Sequence, residues 1–188
     1  YDVRYEIFPA AEEVLAASFF YKRFQNPIER IIEPTSQLRT SYTNADSARN
    51  AGFELEGRKR LGGRFLVGAN YTFVDSAISL TAAAAQVQTS LERPLAGQSR
   101  HLLNLVFEAR TGDTSARLYN FFGSRISDVG AVGLPDIIED GRGSLDLVVS
   151  ARLARKLNVR FGADNLTDED FRFTQGGHPQ RRYGLGRT

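Results

Sequence analysis

Apolar and polar residues alternate one by one along most of this chain. Phe65, Val67, Ala69, Tyr71 and Phe73 would share one face of an extended strand, with Leu66, Gly68, Asn70 and Thr72 on the other. Leu145, Leu147, Val149, Ala151 and Leu153 repeat the arrangement opposite Asp146, Val148, Ser150 and Arg152. Leu157, Val159, Phe161 and Ala163 do so again opposite Asn158, Arg160, Gly162 and Asp164. At helical spacing these apolar positions would scatter around the axis, so the period of two predicts strands. Nine segments follow: Tyr1 to Phe8, Val14 to Phe24, Tyr42 to Leu61, Arg64 to Asp75, Arg100 to Arg110, Ser115 to Gly123, Ser144 to Leu153, Leu157 to Asn165 and Arg181 to Thr188. In the sixth, Ala116, Leu118 and Phe122 share a face with Asn120, which fits either a bulge or the opposite facing.

The connections alternate in length as regularly as the residues alternate in polarity. Residues 9–13, 61–63, 111–114 and 154–156 are tight and rich in Gly, Pro or charge, whereas 25–41, 76–99, 124–143 and 167–180 are long. Outer-membrane barrels pair short periplasmic turns with long extracellular loops in this way, and soluble sandwiches mix their loop lengths less regularly. With the short turns on the periplasmic side, every odd strand runs toward the periplasm and the ninth ends there. Most segments also reach the roughly 9–11 residues that a tilted strand needs to cross the hydrocarbon. In the third, Ala51, Phe53 and Leu55 would face lipid while Glu54 and Glu56 face the lumen. Two unpartnered carboxylates cost several kcal/mol in a dry core and little in a wet lumen.

Composition narrows the classes. The 188 residues carry 24 Lys plus Arg against 22 Asp plus Glu, interspersed in sign, so no basic stripe suits a nucleic acid. The absence of Cys excludes disulfides, thiolate catalysis and Cys-ligated zinc. No run approaches the roughly 18 apolar residues of a membrane-spanning helix; the longest aromatic-aliphatic run is Ala16 to Tyr21. The mean hydropathy of −0.31 is compatible with a barrel, which spends only alternate residues on lipid. The absence of Met and of a signal-like start predicts a piece of a longer protein.

Five segments, in order, resemble one family. Asn50-Ala51-Gly52-Phe53-Glu54-Leu55-Glu56 is similar to the N-A-G-hydrophobic-E-hydrophobic-E strand of TonB-dependent receptors, and Ala69 to Phe73 to the strand that follows it. Arg93 to His101 resembles the segment re-entering the wall, Ala163 to Asp170 the penultimate-strand N-L-T/F-D motif, and Gly184 to Thr188 the G-R-T opening the last strand. The resemblance implies an all-β, antiparallel up-and-down meander of about nine strands. Residues 1–188 would form the C-terminal segment of a barrel of about 22 strands around a plug. It further implies an outer-membrane receptor, not an enzyme, importing a scarce bulky nutrient such as a metal chelate. Its partners would be outer-membrane lipid, a small-molecule substrate and the TonB energy-transducing protein, the last reached through an N-terminal region. No cofactor is implied. The plug and coupling box have no counterpart here, and Thr188 stops short of the family's terminal aromatic. The alternatives are a passive porin or structural barrel, or a soluble sandwich in which the apolar faces meet.

Candidate functional residues are few. Arg4, Glu6, Glu54, Glu56, Arg58, Asp146 and Arg160 fall on the expected lumenal face, where they would line a substrate path or simply form a polar wall. His101 and His178 have no partners at ligand or triad spacing and read as ordinary polar residues. The acidic run 164–170 lacks the spacing of a calcium loop and reads as a solvated turn at the barrel mouth. No helix-opening pattern follows Gly62-Gly63 or Gly176-Gly177, so these are turn glycines. Ala82 to Ala85 would suit a short helix in the longest loop.

Overall fold

A computed structural model describes residues 1–81, 87–111, 113–154 and 157–188. The expected Ala82–Ala85 helix lies outside the described residues. Fifteen strands occur among them: β1 (Asp2–Ile7), β2 (Val14–Gln25), β3 (Ile28–Ile32), β4 (Thr40–Asn44), β5 (Ser47–Leu61), β6 (Phe65–Ser79), β7 (Glu92–Arg93), β8 (His101–Thr111), β9 (Asp113–Phe122), β10 (Arg125–Asp128), β11 (Ile137–Glu139), β12 (Arg142–Ala154), β13 (Leu157–Ala163), β14 (Phe171–Gln175) and β15 (His178–Tyr183). The long strands form one antiparallel meander in the order β1-β2-β5-β6-β8-β9-β12-β13, with β7 added beside β6. The short turns gather at one end of this wall and the long connections at the other.

Two neighbouring cross-strand rows show how alternation becomes architecture. Glu6, Ala16, Glu56, Asn70, Asn104, Asn120 and Ser144 lie opposite one another from β1 to β12, and six of the seven are polar. The adjacent row, on the other face, reads Tyr5, Ala17, Leu55, Tyr71, Leu103, Phe121 and Gly143. A one-residue slip anywhere would exchange the two rows, so the register is strongly specified. Phe65, Val67, Leu103, Leu105, Phe107, Leu147, Val149, Val159 and Phe161 all fall on the apolar side, and Phe65, Leu105, Phe107, Val159 and Phe161 stay exposed. A band of this kind on a face that nothing covers is unsuited to water and suited to lipid.

Two expectations, for the third and ninth segments, need correction in detail, and the alternative left open for the sixth is decided. The third segment is not continuous: Ala45 and Asp46 separate β4 from β5, because Thr40–Asn44 turns back to pair with Ile28–Ile32. In the sixth, register settles the facing without a bulge. Asn120 lies opposite Asn104 and Ser144, so Ala116, Leu118 and Phe122 join the polar face and Arg117, Tyr119 and Phe121 the apolar one. In the ninth, Arg181–Tyr183 belongs to the β14–β15 hairpin, and pairing with the wall starts only at Thr188. Its N–H and C=O both bond Asp164 at 3.2 and 2.6 Å.

The long connections are folded. β10, β11, β14 and β15 form a separate four-stranded sheet, and β3–β4 a hairpin. Ala45, Ala48, Ile78 and Leu80 make a small buried cluster with Ile31 and Leu95 packed on it. This cluster fixes the β3–β4 hairpin and the segment around Leu95 over the prolonged ends of β5 and β6. Gly52 is required there: a Cβ at this position would lie 2.0 Å from the Phe73 carbonyl oxygen and 2.7 Å from the Phe20 ring.

Candidate functional site: the polar face and its mouth

The polar face is covered by long charged side chains standing over small residues. Ala16 and Ser18 are buried because Glu6, Glu56, Arg4 and Glu54 flank them, their stems shielding the floor while their heads stay wet. Arg4 contacts Glu6 on its own strand and reaches Glu56 at 2.9 Å, and the Ser18 hydroxyl donates to Glu54 at 3.4 Å. Asn104 donates to Asn70 at 2.6 Å farther along the same face.

The seven sequence candidates share this face but do not form one site. Arg4, Glu6 and Glu56 come together, with Glu54 close by in the next row. Arg58 donates to the Glu12 backbone carbonyl at 3.0 Å at the short-turn end. Asp146 serves the backbone around it, Oδ1 accepting from the Ser144 hydroxyl at 3.0 Å and from the Asn165 N–H at 2.8 Å. Arg160 stands exposed on β13, opposite Ser150.

Sequence reading missed a charged hub at the short-turn end. Glu12, with a positive φ of 65° in the β1–β2 turn, accepts from Arg60 at 2.7 Å on β5 and from Arg110 at 3.0 Å on β8, reaching across β6. Hydrogen bonding from Arg110 holds the Glu12 carboxyl below its ordinary range, and the charges of Arg110, Arg60 and Arg58 act in the same direction. The hub thus ties the β1–β2 turn to β5 and β8 at one rim, and no local motif announces it.

At the opposite end the folded loops enclose a cleft of about 680 Å³ above the polar face. Its lining combines Glu29, Arg30, Tyr42, Gln98, Ser99 and Arg125 with Ile28, Val74, Leu95 and Leu102. A second recess of about 430 Å³ shares Val74, Gln98 and Arg125 with it. Arg93 and Glu29 form a buried ion pair at 3.4 Å, and Arg93 also donates to the Arg30 carbonyl at 3.1 Å. This bond set clamps the 92–99 segment to the β3–β4 hairpin. The Ser99 hydroxyl, buried beside the cleft, has no hydrogen-bond partner among the described residues.

Arginines and aromatics alternate along the cleft's neighbour. Arg125 and Arg142 lie over the Phe122 ring at 4.9 and 4.8 Å, Arg142 also over Phe171 at 3.7 Å, and Arg181 over Phe173 at 3.9 Å. On the polar side Phe122 thus anchors two cations through its ring face. Arg125 pairs with Glu139 at 2.8 Å.

The histidines lie apart, His101 opposite Phe73 on the apolar face of the wall and His178 in the separate four-stranded sheet. His101 Nδ1 bonds the Tyr71 hydroxyl at 2.7 Å and its ring stacks on Tyr71, while His178 pairs with Gln175 in the β14–β15 hairpin. Among the described residues no three His, Asp or Glu side chains converge as metal ligands. The 164–170 run is pinned rather than free: Leu166 donates to the Leu145 carbonyl at 2.7 Å, Thr167 to that of Gly143 at 3.0 Å, and Glu169 accepts from the Gly143 N–H at 2.8 Å.

A family model described as TonB dependent receptor-like, beta-barrel, matches residues 1–166. The chain belongs to the TonB-dependent receptor β-barrel family. Solved structures agree in fold. The siderophore receptor PiuA from Acinetobacter baumannii superposes with a TM-score of 0.68 at 16% identity, covering 98% of this chain and 26% of PiuA. The copper transporter OprC gives 0.66 at 19% identity, over 94% of this chain and 26% of OprC. The ferric-catecholate import receptor Fiu from E. coli K12 gives 0.62 at 19% identity, over 89% and 24%. This receptor chain spans about a quarter of the length of those relatives. Among curated proteins, none matches.

Proposed function

We propose that residues 1–188 are the C-terminal segment of the barrel of an outer-membrane receptor. This receptor takes up a scarce bulky nutrient, such as a metal chelate, with energy delivered by TonB. The family match over residues 1–166 carries this reading. The apolar face then meets outer-membrane lipid, and Arg4, Glu6, Glu54, Glu56, Arg58, Asp146 and Arg160 face the lumen. Short turns lie in the periplasm, and the folded loops with their cleft lie outside the cell. The cleft offers hydrogen-bonding groups and apolar surface side by side, as capture of a bulky chelate requires.

The test is uptake of ⁵⁵Fe-labelled catecholate and hydroxamate siderophores, and of a copper chelate, by cells with and without the full-length gene. Accumulation of at least one chelate should need both the gene and TonB. Uptake that needs the gene but persists without TonB would replace this reading with a passive porin. A gene without effect on any of the three would overturn chelate uptake.

A further inference from the structure

The apolar face of the wall is not evenly ridged. A depression of about 370 Å³ runs over Ala17, Gly57 and Ala69 between Tyr5, Leu15, Leu55 and Tyr71. A second, of about 540 Å³, shares Leu15, Gly57 and Ala69 with the first and continues to Val67, Leu105 and Lys59. Together they form one groove. Its cause is local: the row Leu15-Gly57-Ala69-Leu105 crosses four strands with large residues only at its ends. A Cβ on Gly57 would meet only Leu15 Cδ1, at 4.0 Å, so the floor is open space and not a buried packing contact. From Leu55 to Lys59 the groove follows β5 for roughly 13 Å.

One end is charged. Lys59 is exposed just before the 61–63 turn and makes no ion pair among the described residues. Glu13, at the same end, is occupied by the Arg60 N–H at 3.2 Å, and Arg58 donates to Glu12 from the opposite face. Arg117, also exposed, lies in the same cross-strand row, Lys59-Val67-Phe107-Arg117. An apolar trough with Lys59 at its membrane-boundary end, and Arg117 farther along the same row, matches a chain that is apolar along its length and anionic at its head. A second protein copy would have to bury the Lys59 ammonium against apolar surface, at a cost that a phosphate headgroup avoids.

We propose that this groove binds one acyl chain of a phospholipid from the leaflet on the short-turn side, with Lys59 holding the phosphate. The site lies outside the uptake path and rests on the membrane placement proposed above. In the full-length receptor, failure of that placement would appear as a protein absent from the membrane fraction. Failure of this proposal would appear as a normally folded receptor indifferent to the substitutions below.

The test uses full-length receptor extracted in mild detergent, exposed to phosphatidylglycerol with a photoreactive acyl tail, and examined by native mass spectrometry with mapping of the crosslinks. One lipid should be retained, crosslinking to Tyr5, Leu55 or Tyr71. Lys59→Gln should weaken retention about fivefold, as expected for one basic residue near an anionic lipid surface. Gly57→Leu should abolish crosslinking at those residues while leaving the heat-modifiable folded form intact, since it adds apolar volume to an open, lipid-facing position. Competition by inorganic phosphate alone, equal retention by the wild type and Gly57→Leu, or a dimer that shields the groove would each overturn the proposal.

Discussion

Val148 and Val149 are adjacent in β12 and face opposite sides of the wall, which makes them a matched pair for testing its orientation. Val149 lies opposite Phe161 on the apolar face, and Val148 lies opposite Ala116 and Gly162 on the polar one. β12 pairs with β13 down to Ala154, so Val149 stands five positions from the end of the hairpin. At a rise near 3.3 Å and a tilt near 40°, that is roughly 13 Å along the membrane normal, about half the height of an apolar band of about 25 Å. An Arg there should cost about 2–4 kcal/mol, or roughly a 30- to 700-fold shift in the folding equilibrium. At Val148 the same substitution meets open space, since a Cβ on Gly162 would touch nothing within 4 Å. It should cost about 0.5 kcal/mol. Asp146 is a poorer control, because replacing it also breaks its bond to the Asn165 N–H. The assay is urea-titrated folding of the full-length receptor into lipid vesicles, scored by heat-modifiable mobility. Equal losses for V148R and V149R, or a larger loss for V148R, would refute the assignment of the two faces.

Three further outcomes follow from named contacts. Gly52→Ala should destabilise the β5–β6 pairing by about 1–3 kcal/mol through forced overpacking, while Gly57→Ala should be near neutral; urea midpoints of the two variants check this. Glu29→Gln leaves Arg93 buried without its counter-charge, at about 3–5 kcal/mol, and should release the clamp locally. Hydrogen exchange should then accelerate at residues 28–44 and 92–99 and stay unchanged at the wall rows. Because the Glu12 carboxyl is held below its ordinary value, its stabilisation is complete above that value and fades as pH falls through the lowered one. Glu12→Gln should therefore remove part of the acid-limb loss of stability, read by urea titration at successively lower pH.

How much of this was legible in the sequence depended on the range of the physics involved. The wall was legible because a period of two is a local signal, and register then carries it across strands without new information. The polar row from Glu6 to Ser144 follows once Glu54, Glu56 and Asn70 are placed. β9 resisted because three of its five polar-face residues are apolar, and only pairing with Asn104 and Ser144 decides its facing. The loops resisted for a different reason. Ile28, Ile31 and Ile32 have strand character, but their partners at Thr40–Asn44 look like the start of the next wall strand. The Arg93–Glu29 pair and the Glu12 hub join residues distant along the chain, so neither leaves a spacing to read. Of the seven site candidates, the shared face was legible, whereas the particular bonds made by Arg58 and Asp146 needed coordinates.

These 188 residues contain no Cys, so single cysteines can report position here once any Cys elsewhere in the full-length protein is replaced by Ser. The most direct measurement places one at each position from Phe65 to Phe73 in the full-length receptor in lipid vesicles. Each carries a spin label, whose accessibility to oxygen dissolved in lipid and to an aqueous nickel chelate is then compared. The account predicts strict alternation, with 65, 67, 69, 71 and 73 oxygen-accessible and 66, 68, 70 and 72 accessible to the chelate. A profile without a period of two, or with the two classes exchanged, would contradict it.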